Sequence, residues 1–286
     1  MTQRLAIIGF PIGHSLSPVM HNAALPAMGI DATYEAWPVE PHALPSAIRK
    51  LRDDKMLGLN VTVPHKQAVM PLLDEIDAGA QAIGAVNCIV NRNGHLTGHN
   101  TDKYGFIRSL QEAGFDTAGA KVVVLGVGGS ARAVAYGLAE AGAASISLAG
   151  RNAERVEDTA SAIETSLPGT AQINRLEWGE EPFLEACGAA DLIVNCTPVG
   201  MRHTDTEGRS PIGPWALRPD VWVCDLVYNP QETGLLRLTE DEGGHPVSGL
   251  EMLVYQAAES LRLWTGMTAP VDIMRKAALA ALAERE

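Results

Sequence analysis

Cysteine is scarce in this chain of 286 residues, and the four present, Cys88, Cys187, Cys196 and Cys224, show no C-x-x-C spacing. That argues against a zinc site or a disulfide framework, and it makes a reducing cytoplasm the expected setting. Basic charge is also short, since 22 Lys and Arg against 34 Asp and Glu leave a net charge of −12. A nucleic-acid partner, which demands a basic face, is therefore not expected. No apolar run approaches the roughly 20 residues that cross a bilayer. Met1-Thr2-Gln3-Arg4-Leu5 leads into a short strand pattern rather than the apolar core of a signal peptide, so neither a membrane nor secretion is expected. Internal repeats, low-complexity tracts and a long Pro/Gly/Ser linker are missing too. Even so, the length suffices for two domains, each with its own core.

What is present is a strand that runs into glycines. Val122-Val123-Val124-Leu125 passes into Gly126-Val127-Gly128-Gly129-Ser130-Ala131-Arg132-Ala133, which places Gly126, Gly128 and Ala131 at the small-residue positions of G-x-G-x-x-G/A. Those positions serve a tight turn, close approach of a pyrophosphate to the backbone, and helix-on-strand packing. A plain glycine turn would look similar. The context favours the nucleotide, because a helix is expected over 130–141 and a second strand at Ser145-Ile146-Ser147-Leu148-Ala149. An NAD-preferring unit would end that strand with Asp or Glu for the ribose. Here Ala149-Gly150-Arg151-Asn152 follows, with Arg155 one turn on, and guanidinium groups suit the 2′-phosphate of NADP. Those arginines could equally pair with Glu154, Glu157 or Asp158 on a solvated helix start.

More than 100 residues precede the glycine loop, and they also read as α/β. Strand patterns occur at 5–9, 33–37, 57–61 and 85–90, with helices beginning near Pro18, His42, Lys66 and Asp77. Ser17-Pro18 reads as an N-cap followed by proline at the first helical position. Beyond the loop, 191–196 and 221–226 read as buried strands of a doubly wound parallel sheet, and the tail from Leu250 as helix crossing back to the first domain. The expected fold is thus α/β, with an N-terminal substrate domain and a Rossmann-like NADP-binding domain. The divisions expected are 1–104, 105–249 and 250–286, with a cleft between the domains as the ligand site.

Polar clusters stand at the ends of the first domain's strands, where open α/β sheets present ligands. Ser15 and Ser17 could hold a carboxylate through neutral donors, although the same pair reads as a capped helix with a polar loop. Lys66, at the end of Asn60-Val61-Thr62-Val63-Pro64-His65-Lys66, is expected in the first turn of a helix, where the dipole opposes a cation. Asn87 reads as either a hydrogen-bonding group or a turn residue, and Asp102 as either a site residue or a cap. Taken together, Lys66 and Asp102 form the acid/base pair needed for carbonyl–alcohol redox chemistry: an ammonium stabilises charge developing on oxygen and delivers the proton.

The chain resembles the shikimate/quinate dehydrogenase family over nearly its whole length. The resemblance rests on PIGHSLSPVMHNAAL at 11–25, NVTVPHK at 60–66, GAVN at 84–87, GHNTDKYG at 98–105, the glycine loop, NCTPVGM at 195–201, DLVYNPQETGLL at 225–236 and GLEMLVYQAA at 249–258. It implies reversible NADPH-dependent reduction of 3-dehydroshikimate to shikimate, on the route to chorismate and the aromatic amino acids. Ser15, Ser17 and Tyr228 would hold the substrate carboxylate, and Thr62, Lys66, Asn87, Asp102 and Gln256 its hydroxyls, with Lys66 and Asp102 also catalytic. Around the cofactor pyrophosphate the resemblance puts Gly126, Gly128, Gly129, Ser130 and Ala131. At the adenosine phosphate it puts Arg151, Asn152 and Arg155, and on the nicotinamide side Thr197, Met201, Val227 and Gly249. It leaves a homodimer open. Gly150-Arg151-Asn152 departs from the family's Asn-Arg-Thr, which exposes the NADP preference most. Leu25 and Pro198-Val199 depart as packing changes. Broader quinate or NAD use, and a non-catalytic ligand sensor on the same fold, are the alternatives.

Overall fold

Two units make up the chain: Met1–Gly105 together with Val254–Glu286, and Phe106–Leu253. The computed structural model describes residues 2–285. Met1 and Glu286, the outer limits of the expected terminal segments, lie outside the described residues.

The first unit opens with β1 (Gln3–Gly9), α1 (Ser17–Ala27), β2 (Ala32–Pro38), α2 (Leu44–Leu51) and β3 (Met56–Val61). It continues with β4 (Glu75–Ile76), α3 (Ala78–Ile83), β5 (Cys88–Arg92), β6 (His95–His99) and the start of α4 (Asp102–Ala113). Its sheet has the order β2-β1-β3-β5-β6-β4. The pairs β1/β2, β1/β3 and β4/β6 are parallel, whereas β3/β5 and β5/β6 are antiparallel. Strand β1 is buried continuously from Leu5 to Gly9, which is why it reads as an unbroken apolar run. Ile8, Leu51, Leu59, Ile89 and Leu96 are among the side chains that fill the core.

The second unit takes the rest of α4 and then β7 (Lys121–Leu125), α5 (Gly129–Glu140), β8 (Ser145–Gly150), α6 (Ala153–Ser166) and β9 (Gln172–Glu177). After these come α7 (Glu181–Gly188), β10 (Leu192–Asn195), β11 (Trp222–Asp225), α8 (Gly234–Asp241), β12 (His245–Ser248) and the start of α9 (Gly249–Thr265). Its six strands run β12-β11-β10-β7-β8-β9, all parallel. Counted from β7, that is the 3-2-1-4-5-6 order of a doubly wound dinucleotide fold, whose switch point lies between β7 and β10. Val122, Val124, Ala131 and Leu138 pack with Ile146 and Leu148 in one core cluster, and Val123, Leu125 and Ile193 belong to another. The remainder of α9 and α10 (Val271–Ala283) returns to the first unit, where α10 packs on α1.

Three local expectations fail for identifiable reasons. No helix begins at Lys66: the segment is a run of turns ending in a short 3-10 stretch, Met70–Leu72. The Lys66 carbonyl accepts the Val86 N–H at 2.8 Å instead of a helical partner, and Pro71 disfavours helix just ahead of it. The argument from a helix dipole at Lys66 therefore falls away. Ser17 is not the N-cap of α1 but its first residue. Leu16 takes the cap position without a side-chain bond, while Ser15 Oγ accepts the Ser17 N–H at 3.2 Å. The expected strand at 85–90 begins only at Cys88. Asn87 instead exchanges loop bonds, its N–H donating to His99 O at 3.1 Å and its carbonyl accepting the Val61 N–H at 2.8 Å.

Candidate active site

In the first unit, β3 ends at Val61 and β6 at His99, while β5 starts at Cys88 antiparallel to both. Thr62, Lys66, Asn87 and Asp102 are thereby delivered to one end of the sheet. Asn100 Oδ1 accepts the backbone N–H of Asp102 at 3.1 Å and of Lys103 at 3.3 Å, so Asn100 caps α4 and the Asp102 carboxylate is left for other work.

Lys66 Nζ donates to Asp102 Oδ2 at 2.6 Å, and the two side chains are 11% and 8% exposed. Asn87 Nδ2 donates to Asp102 Oδ1 at 2.8 Å and to Thr101 Oγ1 at 2.9 Å, and lies 3.4 Å from Gln256 Oε1. The Thr101 N–H donates to Asn87 Oδ1 at 2.7 Å, which fixes the direction of the Asn87 amide. Hydrogen bonds thus join Lys66, Asp102, Asn87 and Gln256. A shielded ammonium held against an oriented carboxylate can give a proton to an oxygen and take one back.

Ser15 is half-buried and Ser17 buried at the start of α1. Thr62, half-buried, lies against Gly9 at the head of the serine loop, close enough that a Gly9 Cβ would fall 2.5 Å from its methyl. Tyr228 belongs to the second unit, after β11, and is half-buried there.

In the second unit the glycine loop leaves β7 at the switch point. Gly126 has φ +101°, a region that L side chains rarely adopt, and a Cβ there would lie 3.1 Å from Thr197 Cγ2 and 3.2 Å from Cys196 O. Gly128 differs, because a Cβ there would meet nothing within 4 Å. As N-cap of α5 it offers no side-chain bond to the helix start. An open backbone at an uncapped helix N-terminus fits a pyrophosphate. Gly129 and Ser130 form the first turn of α5, and Ala131 is fully buried beneath it. Arg151 and Arg155 are exposed, and neither has a carboxylate partner among the described residues; Glu157 pairs with Arg175 instead. Asn152 caps α6, its Oδ1 accepting the Arg155 N–H at 2.9 Å. Half-buried Arg132 is pulled below the usual arginine range by burial and by the Arg155 cation, against the attraction of Asp158. These donors fit a dinucleotide carrying an extra phosphate.

Past β10, Thr197 donates from both N–H and hydroxyl to Asn195 Oδ1, at 3.0 and 2.6 Å. Asn195 Nδ2 in turn donates to Asp225 Oδ1 at 2.8 Å. Asp225 also accepts the Val227 N–H at 3.0 Å and the Thr233 hydroxyl at 2.6 Å. Burial raises its carboxyl to about 6 against those three bonds. Met201 is half-buried in the loop after β10, and Gly249 is buried at the start of α9.

Sequence reasoning gave no role to Asn195 or Asp225, although both lie in the quoted motifs, nor to Arg132, and it gave Thr101 only a possible capping role. Ser260 carried no signal at all. Among the described residues no group of His, Cys, Asp and Glu could hold a metal ion, and no helix is long and apolar enough to cross a membrane.

Fold and site together define a two-unit α/β protein with a Rossmann-like second unit. Residues 7–89 match the shikimate dehydrogenase substrate binding domain, and 249–279 the shikimate 5'-dehydrogenase C-terminal domain. The shikimate dehydrogenase (NADP(+)) of Moorella thermoacetica is 47% identical over 273 residues, covering 96% of this chain and 91% of that protein. Among solved structures, shikimate 5-dehydrogenase from Thermus thermophilus in complex with NADP(H) and shikimate matches with a TM-score of 0.88 at 35% identity, over 98% of this chain and 100% of the other. Quinate dehydrogenase from Corynebacterium glutamicum in complex with NAD matches with a TM-score of 0.86 at 34% identity, over 98% and 99%. The chain belongs to the shikimate dehydrogenase family.

Proposed function

We propose that this chain is an NADP-dependent oxidoreductase that reversibly reduces 3-dehydroshikimate to shikimate, within chorismate and aromatic amino-acid biosynthesis. The observation that carries the reading is the shielded Lys66–Asp102 pair, 2.6 Å apart and oriented by Asn87. The NADP(+) named in the relatives and the shikimate and NADP(H) bound in the Thermus structure support it.

Bound NADPH supplies a hydride to the carbonyl carbon. As that bond forms, the carbonyl π pair moves to oxygen, and Lys66 gives the oxygen its proton, leaving a neutral amine that is reprotonated from solvent. Asp102 holds the ammonium in line and offers its carboxylate to a substrate hydroxyl. Asn87, Thr62 and Gln256 serve the remaining hydroxyls. Ser15 and Ser17, with Tyr228, hold the substrate carboxylate through neutral donors, so that no second cation competes with Lys66. Gly126, Gly128, Gly129, Ser130 and Ala131 would receive the pyrophosphate, and Arg151, Asn152 and Arg155 the 2′-phosphate. Thr197, Met201, Val227 and Gly249 would serve the nicotinamide. Residues 1–104 with 250–286 are then the substrate part and 105–249 the cofactor part. A cytoplasmic location, in keeping with four free cysteines, and a homodimer belong to the same proposal.

The test is a matrix of shikimate and quinate against NADP+ and NAD+, read as kcat/KM for NAD(P)H formation. Shikimate with NADP+ is expected to exceed each other combination at least tenfold. Parity between the nucleotides would remove the 2′-phosphate role of Arg151 and Arg155, and parity between the acids would favour a quinate/shikimate dehydrogenase.

A further inference from the structure

Behind the ion pair lies a buried polar chain that reaches the far edge of the first unit's sheet. Tyr34 Oη, on edge strand β2, donates to Asn60 Oδ1 on β3 at 2.7 Å. Asn60 Nδ2 donates to Ser260 Oγ on α9 and to the Asn87 carbonyl, each at 3.0 Å. Ser260 Oγ lies 3.1 Å from Thr101 Oγ1, and the Thr101 N–H and the Asn87 amide carry the chain on to Asp102. Tyr34, Asn60, Ser260, Thr101, Asn87 and Asp102 are all buried.

We propose that Tyr34 is a positioning residue for the Lys66–Asp102 pair, acting through Asn60, Ser260, Thr101 and Asn87. The hydrogen inventory gives the direction. Asn60 spends both amide hydrogens on Ser260 and Asn87, so its oxygen needs a donor, and the Tyr34 phenol provides it. Without that hydrogen the oxygen is a buried acceptor with no partner, and Asn60 must shift to relieve it. Asn60 holds the main-chain carbonyl of the residue that orients Asp102, so its shift reaches the carboxylate.

The phenol is itself fixed from three sides. Asn22 on α1 clamps the Tyr34 backbone, donating to its carbonyl and accepting its N–H, both at 2.9 Å, in place of a missing strand neighbour. His21 stacks on the ring with centroids 4.2 Å apart, and Trp264 lies 6.2 Å away on the α9 side.

The inference rests on the proposed reaction, and its test separates the two. Tyr34→Phe removes the hydroxyl and keeps the ring stack. Its kcat with shikimate and NADP+ is expected to fall at least tenfold, with KM for NADP+ within twofold of the unaltered chain. Made in an Asp102→Asn background, the same change should alter kcat less than twofold, because its route of action is already broken. Ser260→Ala, which interrupts the chain at another point, should show the same non-additivity and serves should Tyr34→Phe fold poorly. Multiplicative losses in the double variants, or a Tyr34→Phe kcat within twofold of the unaltered chain, would overturn the inference alone. An unaltered chain that turns over neither acid with either nucleotide would overturn the reaction, and the inference with it.

Discussion

Lys66 and Asp102 reach each other from separate backbones, a turn after β3 and the first residue of α4. Each can therefore be removed without unmaking the element that carries the other. Lys66→Ala deletes the only ammonium recorded against Asp102 among the described residues. A positioned acid/base is worth about 10²-fold to 10⁴-fold in rate, so kcat should fall by that range. NADP+ affinity, which is proposed to draw on the second unit, should stay within about twofold, equivalent to about 0.4 kcal/mol. Steady-state kinetics and a nucleotide titration at a temperature where a thermal scan shows the variant folded would check both halves. A variant that turns over at the unaltered rate would place the proton elsewhere.

At the scale of elements, the second unit was the more legible, because parallel strands buried on both faces announce themselves as apolar runs and glycines mark where they end. Strands β7, β8, β10 and β11 follow their patterns to within a residue or two. The edge strands β9 and β12 were not anticipated; Gln172–Glu177 and His245–Ser248 keep only one buried position each. In the first unit, the pairing of Lys66 with Asp102 was readable in the sequence, but the local backbone of Lys66 was not. A proline-started run with helix-like composition becomes turns once Val86 claims the Lys66 carbonyl, a pairing between distant segments that no local pattern encodes. The Tyr34–Asn60–Ser260 chain was hidden for the same reason, since its bonded neighbours Asn60 and Ser260 stand 200 positions apart in sequence. The glycine loop allows the two kinds of glycine to be told apart by experiment. Gly126→Ala puts a methyl into a left-handed backbone and against Cys196, and should cost about 1–3 kcal/mol of stability together with nucleotide binding. Gly128→Ala has room, so its stability should change by less than about 1 kcal/mol. Its NADP+ affinity should nevertheless fall more than tenfold, because the methyl takes the space a phosphate would enter. Thermal unfolding with and without NADP+ separates these outcomes, and unchanged affinity in Gly128→Ala would move the pyrophosphate away from that backbone.

At the scale of the whole molecule, buried His21 in the first unit and buried Asp225 in the second have opposing effects on stability across mildly acidic pH. His21 in the first unit is fully buried, and burial lowers its imidazole to about 3 from the ordinary 6.5. Unfolding lets the ring take up a proton, so its contribution is complete above pH 6.5 and is lost as pH falls toward 3, at about 1.4 kcal/mol per pH unit. Asp225 in the second unit is fully buried with its carboxyl raised to about 6 from 3.8. There the folded state holds the extra proton, so its contribution is complete below pH 3.8 and is lost as pH rises through 6, with a slope of similar size and opposite sign. From pH 6 to pH 4, therefore, His21 weakens the first unit while Asp225 strengthens the second. Hydrogen exchange read by mass spectrometry, corrected for the intrinsic pH dependence of exchange, should show protection in 2–105 declining across that window while protection in 106–253 rises. His21→Phe keeps an aromatic ring against Tyr34 without a group to protonate, and should flatten the decline in the first unit only. Asp225→Asn should remove the gain in the second unit only. Equal loss of protection in both units, unaffected by His21→Phe, would mean that neither buried group governs the response of this chain to acid.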